Sequence, residues 1–434
     1  MEILILIIFA CMLIGCIAAG LSTVIALGAG YLLFLCYGLK KGYSLSRLVR
    51  ISLEGIRTVK NVLITFALIG MLTAVWRSAG TIPSIVCYVG NLFSPSVFLL
   101  LIFLLNCLVS FITGTSFGTS ATMGVICMTI ALSMGISPVL AGGAILAGAF
   151  FGDRCSPVST SALLVAEITK TDIYRNIRLM FRTAIIPFAA ACIIYLVMGW
   201  IFPPSAGQIP DINGLFSAGF TIGLLPLIPA AAVLIASLCR IRVQLSMGIS
   251  IVLAMIICLT VQHMPFTELL LTMLRGYRSA VPQIADLMNG GGIVSMITVA
   301  ANVCIASAFS GILRETGLLD PIIRKILRWK ESAGAFSILL PISVGTCMIS
   351  CNQSLAIILT RQLGEYVEPD PQQLAIDLEN TAVVIAPLIP WSIAGAVPLA
   401  AIGAPVTAIT AACYLYLLPL WNWIVSLRHH RNIK

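Results

Sequence analysis

The chain has 434 residues, of which 59% are hydrophobic and only 9% are charged, and its mean hydropathy is +1.07. This composition excludes a soluble globular protein, because too few polar side chains remain to cover the surface. The formal net charge is +9, but the Lys and Arg residues cluster in short loops between apolar runs. That pattern indicates membrane topology and argues against a nucleic-acid partner. We therefore expect an all-α polytopic membrane protein in a lipid bilayer.

Residues 1–60 are expected to form two membrane spans and one interfacial helix. The apolar runs Ile3–Ala19 and Leu21–Leu39 meet at Gly20, and the first lacks the basic start of a signal peptide, so we interpret it as a retained helix. Tyr43–Lys60 carries basic residues at helical spacing among apolar ones, which predicts an amphipathic helix at the membrane surface. Its positive charge places this helix and the N-terminus in the cytoplasm.

Residues 61–203 form the first of two predicted repeats. After the span Val62–Trp76, an apolar run that begins at Pro95 is interrupted by the polar segment Thr113–Ser120. Two half-length apolar arms around a tip of Gly, Ser and Thr residues predict a re-entrant hairpin. A broken helix follows this hairpin, and Ala184–Phe202 is expected to be the last span of the repeat.

The broken helix is the segment on which the functional hypotheses depend. Asp153 and Arg154 lie near the centre of the apolar segment Pro138–Thr169, where a charged pair has to face protein or a wet cavity. Pro157 has no backbone N–H to donate, and Gly152 weakens a helix locally. We therefore predict two half-helices around an unwound centre, where a solute can bind.

Residues 204–289 link the two halves of the chain. Two spans are expected, at Leu215–Leu238 and Met247–Val261, followed by an external interfacial segment. Four motifs of the first half then recur in the second half at comparable offsets. The pairs are Trp76–Gly80 with Leu313–Gly317, Gly114–Thr115 with Gly345–Thr346, Pro138 with Pro369, and Ser156–Pro157 with Ala386–Pro390.

Residues 290–427 therefore form a second repeat, and residues 428–434 form a basic cytoplasmic tail. Pro387 and Pro390 are expected to interrupt the second broken helix as Pro157 interrupts the first. The predicted segments are a first span at Gly292–Ser307, a hairpin at Phe336–Leu363, a broken helix at Gln372–Ile402 and a last span at Val406–Val425.

The distribution of basic residues decides between parallel and inverted repeats. With Lys40–Lys60 inside, the predicted spans place 21 of the 25 Lys and Arg residues inside, three outside and Arg154 within the membrane. Equivalent loops then lie on opposite sides, Gly80–Ser94 outside and Gly317–Lys330 inside. This predicts an inverted-topology repeat with both termini in the cytoplasm, in which the two hairpin tips and the two helix breaks meet near the bilayer midplane.

Three acidic residues lie within the predicted spans and are candidates for carrying an ion. Asp153 can bind a proton or a sodium ion but not both, so the two ligands would compete for one site. Alternatively, Asp153 pairs with Arg154 or caps the second half-helix. Glu379 lies deeper than Asp377, which can equally be a solvated residue at the entrance. Arg154 is expected to hold the break together through carbonyl groups or to bind an anionic group.

Hydroxyl groups near the break and the hairpin tip could supply oxygen ligands for sodium or hydrogen bonds to an organic carboxylate. These residues are Thr113, Thr115, Ser116, Thr119, Ser120, Ser156, Ser159, Thr160 and Ser161. Trp391 can line a substrate pocket or pack between helices. The spans contain no His, and the 14 Cys residues form no Cys-x-x-Cys motif, so no cofactor is expected. Cys347 and Cys351, four residues apart, could ligate a soft metal, but we interpret the Cys residues as small hydrophobic side chains and expect sodium at Asp153 as the metal.

Three segments resemble the signature segments of the NhaC-type sodium/proton antiporter family. They are GTSFGTSATMG at 114–124, GAFFGDRCSPVSTSALL at 148–164 and LENTAVVIAPLIPWSIAG at 378–395. The resemblance implies secondary transport within the ion transporter superfamily, on a scaffold with paired re-entrant hairpins. It also covers relatives that exchange malate for lactate or carry amino acids. By position, the family's first break is matched by Asp153, Ser156 and Pro157, and its second break by Glu379, Pro390 and Trp391.

The chain departs from the family pattern at several positions beside these residues. Thr160, Ser161, Ala162 and Leu163 stand where the family usually has Asp followed by Thr-Thr-Asn. Asn380 stands in place of an Asp, and Ser392 in place of an Asn. Because fewer charges and amides remain to hold sodium, cation coupling is expected to be weaker, proton-only, or replaced by an organic substrate.

Two transport hypotheses follow. The first is a secondary antiporter that exchanges sodium for protons by alternating access at a midplane site. The alternative is an organic-acid or amino-acid carrier in which Arg154 and the half-helix N-termini hold a carboxylate. An integral-membrane enzyme is not expected, because no HExxH or GxSxG spacing is present. The substrate, the stoichiometry and whether the chain forms a homodimer stay open.

Overall fold

The computed structural model describes residues 2–18, 23–89, 94–202, 212–239, 241–279, 285–318, 334–350 and 352–433. Within these ranges the chain is built from helices, and its one β-bridge joins Tyr277 and Gly290. Arg240 and the basic cluster at residues 324–330, both used above to orient the chain, lie outside the described ranges.

The described part of the first half contains ten α-helices, of which α7 includes a π-helical turn at Ser120–Gly124. They are α1 Glu2–Ala18, α2 Thr23–Lys40, α3 Leu45–Thr58, α4 Lys60–Ser78, α5 Thr81–Val89, α6 Pro95–Thr113, α7 Ser116–Ser133, α8 Pro138–Cys155, α9 Thr160–Thr169 and α10 Ile173–Ile201.

The rest of the described chain contains twelve more α-helices and several 3-10 turns. The helices are α11 Ile212–Gly219, α12 Ile228–Leu238, α13 Val243–Thr260, α14 Phe266–Arg275, α15 Ala285–Met288, α16 Ile297–Thr316, α17 Ala335–Ser350, α18 Gln353–Gly364, α19 Pro371–Asn380, α20 Ala382–Ile385, α21 Ile393–Ala401 and α22 Cys413–Ile433. The 3-10 turns are Leu225–Leu227, Ile293–Met296, Ala386–Leu388 and Val406–Ala411.

Six of the described helical segments are long and apolar enough to cross a membrane. They are α4, α6, α7, α10, α13, and α16 together with the turn before it. A seventh span results if Pro371–Leu388 and Ile393–Ala401, which meet at an angle of 56°, are counted as one broken helix. The expectation of an all-α polytopic membrane protein is therefore confirmed.

Glycine residues of α8 bring this helix unusually close to α6. A Cβ atom on Gly148 would lie 2.5 Å from the carbonyl oxygen of Phe103, and one on Gly152 would overlap the backbone of Ser110 and Phe111. Small residues at such crossings let two helices approach until their backbones touch. Gly152 does not interrupt the helix as predicted, because α8 continues through it to Cys155. Its close packing against α6 instead fixes the position of the break that follows.

The first hairpin differs in length from the expectation. Its arms α6 and α7 have 19 and 18 residues, and each is long enough to cross the hydrocarbon layer by itself, whereas half-length arms were predicted. The tip is where it was predicted: Gly114 ends α6 in the left-handed region at φ +67°, and Thr115 caps α7 by accepting a hydrogen bond from the Gly118 amide at 3.2 Å.

Two further segments differ from the predictions. Leu215–Leu238 is not one span, because the helix stops at Gly219 and restarts at Ile228, after a 3-10 turn that contains Pro226. The Gln262 side chain satisfies the backbone of this non-helical segment: it accepts a hydrogen bond from the Thr221 amide at 3.1 Å and donates one to the Thr221 carbonyl at 3.2 Å.

The second interruption is displaced from the predicted hairpin tip. α17 continues through Gly345 and Thr346 to Ser350, and α18 begins at Gln353 with Asn352 as its N-cap. Gly and Thr weaken a helix by small amounts that tertiary packing overrides. The Thr346 hydroxyl, for example, lies 2.6 Å from that of Thr360 in the neighbouring helix.

Candidate functional site

The first helix break spans four residues between α8 and α9. Ser156 has extended backbone angles, φ −85° and ψ 134°, and is followed by Pro157, so the helical hydrogen-bond pattern ends there. The Ser156 hydroxyl accepts a hydrogen bond from the Val158 amide at 3.3 Å. Ser159 then starts α9 as its N-cap, accepting from the Ser161 and Ala162 amides at 3.2 and 3.4 Å.

Asp153 faces this break and is buried, since only 3% of the residue's surface is exposed. The Ser159 hydroxyl donates to Oδ1 at 3.0 Å, and the Gln353 amide lies 3.5 Å from Oδ2. The Ser161 hydroxyl lies 2.8 Å from that of Ser159 and donates to the Asp153 carbonyl at 3.3 Å. The Ser116 hydroxyl at the hairpin tip also interacts with the carboxyl group. Groups from α9, α18 and α7 therefore converge on one acid.

Two helices that contact Asp153, α9 and α18, begin at this point. α9 starts after Ser159, and α18 starts at Gln353, where the Asn352 side chain accepts from the Ser354 amide at 2.9 Å. The N-terminus of a helix carries a partial positive charge and free N–H groups. Both half-helices thus complement a negative charge at Asp153.

Arg154 points away from Asp153 and is fully buried. Its Nε donates to the carbonyl of Glu379 at 3.1 Å, and Nη2 donates to the Asn380 side chain at 2.5 Å. Nη2 also donates to the Thr183 hydroxyl at 2.9 Å, and Nη1 donates to the Met180 carbonyl at 3.2 Å and the Cys155 sulfur at 3.3 Å. A guanidinium has five N–H donors, so all of them are used within the protein. Arg154 joins α8 to α10 and to the end of α19.

The second broken helix is interrupted twice. α19 ends at Asn380, and Thr381 leaves the helical region at φ −124° and ψ −85° while its hydroxyl donates to the Asp377 carbonyl at 2.6 Å. Pro387 then lies in a 3-10 turn and Pro390 in the gap before α21. Ser392 caps α21 by accepting from the Ala394 amide at 3.3 Å, which is the role that Ser159 has for α9.

Glu379 is as buried as Arg154, yet neither of its carboxylate oxygens has a hydrogen-bond partner among the described residues. Arg154 binds the backbone carbonyl of Glu379, and no ion pair joins the two side chains. Asp153 and Arg154 are nonetheless close enough to act on Glu379 electrostatically. An ionised carboxylate without a partner is costly in a buried site, so Glu379 is a candidate for binding a proton or for facing a cation.

Asp377 lies in the wall of a cavity of about 820 Å³ beside the second break. Its Oδ1 accepts from the Gln373 side chain at 2.7 Å, and Asn380, the partner of Arg154, also lines the cavity. Glu368, Asp370 and Arg182 contribute charged groups to the same wall. Asp377 therefore borders a polar approach to the second break, and Asn380 and Thr183, two hydrogen-bond partners of Arg154, line the same cavity.

The remaining predicted residues fall into different places. Thr119 lies near the hairpin tip, where its hydroxyl is 3.3 Å from that of Thr113. Thr160 is exposed, whereas its neighbour Ser161 faces Asp153. Trp391 packs edge-on against Phe9 with ring centroids 5.2 Å apart, and its indole N–H donates to the Met348 carbonyl at 2.9 Å.

Gln353 was missed by the sequence interpretation. Its amide lies opposite Asp153 and also donates to the Val383 carbonyl at 3.0 Å, so it bridges the first break and α20 of the second broken helix. No spacing in the sequence relates residues 153 and 353. The one available signal was the pair Asn352-Gln353 within an otherwise apolar hairpin.

Comparison with known proteins agrees with this architecture. The model of the Na+/H+ antiporter family matches residues 2–200 and 148–422. The chain is 28% identical to a protein named an uncharacterized Na+/H+ antiporter from Haemophilus influenzae, over 85% of the chain and 81% of the relative. It is 28% identical to the Na+/H+ antiporter NhaC of Alkalihalophilus pseudofirmus, over 85% and 82% of the two chains.

A third relative differs in its named substrates. The chain is 26% identical to the malate-2H+/Na+-lactate antiporter of Bacillus subtilis, over 85% of the chain and 81% of the relative. The family model nevertheless extends from residue 2 to residue 422 and covers every element of the Asp153 site. The chain therefore belongs to the Na+/H+ antiporter family.

Proposed function

We propose that this protein is a secondary active transporter that exchanges sodium ions for protons by alternating access at a site around Asp153. One observation carries the proposal: a buried carboxylate lies at a helix break, faces hydroxyl and amide groups, and forms no ion pair with the adjacent Arg154. The alternative in which Asp153 forms an ion pair with Arg154 is not supported, because the N–H groups of Arg154 donate to other acceptors. Asp153 is thus left for a ligand.

The groups around Asp153 suit a small hard cation. Carboxylate, hydroxyl and amide oxygens are the ligands that such cations prefer. The carboxylate, Ser159 and Ser116 supply the first two kinds, and rotation of the Gln353 amide would present its oxygen to the same space. A proton on Asp153 would remove the charge that holds the cation, so the two ligands exclude each other. Competition for one acid is sufficient for exchange.

We further infer that the two halves of the chain form inverted repeats with paired hairpins and that both termini are cytoplasmic. Several correspondences support this. α4 and α16 both end in a left-handed glycine, Gly80 at φ +74° and Gly317 at φ +60°. The second half-helices α9 and α21 both begin at a capping serine, Ser159 and Ser392. The excess of basic residues in the loops assigned to the cytoplasm sets the orientation.

The alternative of an organic-acid carrier is favoured by the relative named a malate-2H+/Na+-lactate antiporter. Arg154 is not expected to bind the carboxylate of such a substrate, because every N–H group of its guanidinium already donates within the protein. A carboxylate would instead have to use Gln353 and the N-termini of α9 and α18, next to the negative Asp153. This arrangement is less suited to an anion than to a cation.

The proposal is tested with purified protein in liposomes that contain a pH-sensitive dye. We expect an imposed sodium gradient to drive proton movement in the wild type and Asp153→Asn to abolish it. Thr160→Ala serves as the control, because Thr160 lies in the same segment but is exposed. Wild-type rates in Asp153→Asn would refute the assignment. Proton movement driven only by lactate or malate gradients would favour the organic-acid alternative.

A further inference from the structure

A second cavity lies away from the Asp153 site and shares none of its residues. Its volume is about 390 Å³, within the range of small-molecule sites. It is bounded by the end of α4, the second arm α7 of the first hairpin, the segment 290–299 and the end of α21. Most of its wall is apolar, with Val86, Met128 and Val299 among the contributing side chains. Arg77 is the one charged residue among the described residues of this wall.

The guanidinium of Arg77 is incompletely paired. Its only hydrogen bond within the described chain runs from Nη1 to the Thr73 carbonyl of its own helix, at 3.1 Å. Nε is buried and has no partner, and Arg77 forms no ion pair with any side chain that the structure describes. A buried donor without a partner is costly, and more so when it is charged. Nη2 has no hydrogen bond within the described chain and is not among the buried atoms, so it is the nitrogen available to a ligand.

The loop Gly290–Gly292 packs tightly against α4 beside Arg77. Gly290, Gly291 and Gly292 all have positive φ values, and the Gly292 amide donates to the Gly70 carbonyl of α4 at 2.7 Å. A Cβ atom on Gly291 would lie 2.6 Å from the backbone nitrogen of Ala74, so only glycine permits this approach. The loop thus closes the cavity against α4 close to the Arg77 side chain.

From this arrangement we propose that the cavity binds a small water-soluble monocarboxylate with an apolar body. The Nη2 end of the guanidinium can form a charge-assisted hydrogen bond to a carboxylate oxygen. The apolar wall matches a short aliphatic or aromatic body, whereas a second charge on the ligand would find no partner in the wall. The site is separate from the proposed cation site, and Ala400 and Ala401 at the end of α21 line it, so bound ligand contacts a half-helix of the second break.

The experiment measures binding of benzoate to the purified full-length protein by calorimetry and thermal unfolding, with sodium held constant by balancing with chloride. Benzamide is the uncharged control ligand. We expect benzoate to bind and to raise the unfolding temperature, and benzamide to do neither. Arg77→Gln should weaken benzoate binding about tenfold or more, since a hydrogen-bonded charge pair is lost.

Three other variants keep the test independent of folding defects in Arg77→Gln. Val299→Phe retains the charge but fills the cavity, so it should also lose benzoate binding. Arg275→Gln removes an exposed basic residue outside the cavity and should bind benzoate like the wild type. Asp153→Asn should also bind benzoate normally, which separates this proposal from the transport proposal. Equal binding of benzoate and benzamide, no binding to the wild type, or full binding to Val299→Phe would overturn it.

Discussion

The two helix breaks differ in the surroundings of their acidic residues. At the first break, the Asp153 carboxylate faces a hydroxyl from α9 and an amide from α18. At the second, the Glu379 carboxylate is equally buried but has no hydrogen-bond partner among the described residues. The comparison supports the proposal that Asp153 binds an ion, whereas we expect Glu379 to need a proton or a nearby cation that compensates its charge.

Arg154 connects the two breaks, and its loss should have the largest effect on stability. Arg154→Met leaves the carbonyls of Met180 and Glu379 and the Asn380 side chain without their donor. We expect a loss of several kcal/mol, because each buried acceptor left without its donor costs about 1–3 kcal/mol. Thermal unfolding in detergent measures it, with Arg182→Met, an exposed arginine of α10, as the control. Equal unfolding temperatures for both variants would show that Arg154 does not hold the breaks together.

The second prediction concerns the unpartnered acid. If Glu379 carries a proton during the cycle, Glu379→Gln should preserve folding but reduce the number of protons exchanged per sodium ion by one. The sodium and proton gradients at which net flux is zero, measured in liposomes at a clamped membrane potential, give this ratio. Glu365→Gln is a suitable control, since Glu365 is exposed and follows directly after α18. An unchanged ratio would assign the proton to Asp153 alone.

The two capping serines allow a direct comparison of the breaks. Ser159→Ala and Ser392→Ala each remove an N-cap, which costs about 1 kcal/mol of stability in either case. Only Ser159 also donates to Asp153, at 3.0 Å. We therefore expect sodium affinity to fall about tenfold in Ser159→Ala and to stay unchanged in Ser392→Ala. Sodium-dependent thermal stabilisation of the two variants measures this, and an equal loss in both would remove the distinction between the breaks.

Much of this architecture could be predicted because Pro, Gly and Ser mark where helices stop and restart. Ser156-Pro157 and Pro390 lie in gaps of the two broken helices, and Gly114 ends α6 as expected. The second hairpin tip could not be placed from Gly345–Thr346, since these residues stay helical when their neighbours pack well. The interruption follows Asn352, whose side chain caps the next helix.

The site itself was only partly predictable. Asp153 was identifiable as a candidate because a carboxylate within an apolar span is energetically costly and is seldom found there without a function. That Arg154 turns away from it depends on acceptors from α10 and α19, more than twenty residues away along the chain in either case. Likewise, Ser161 rather than Thr160 faces the acid because the exact end of the break sets the rotation of α9. Such information resides in tertiary packing rather than in local sequence.

The smallest expected effect is at Trp391, the aromatic residue of the second break. Its N–H donates to the Met348 carbonyl, and its ring packs against Phe9. Trp391→Phe keeps an aromatic ring but loses the hydrogen bond, so stability should fall by about 1 kcal/mol. The apparent sodium affinity should not change, because the hydrogen bond of the indole goes to Met348 and not to Asp153 or to its partners Ser159 and Gln353. Trp391→Ala, which also loses the ring packing, should destabilise the protein further. A change in sodium affinity in Trp391→Phe would extend the ion site to the second break and weaken the contrast between the two.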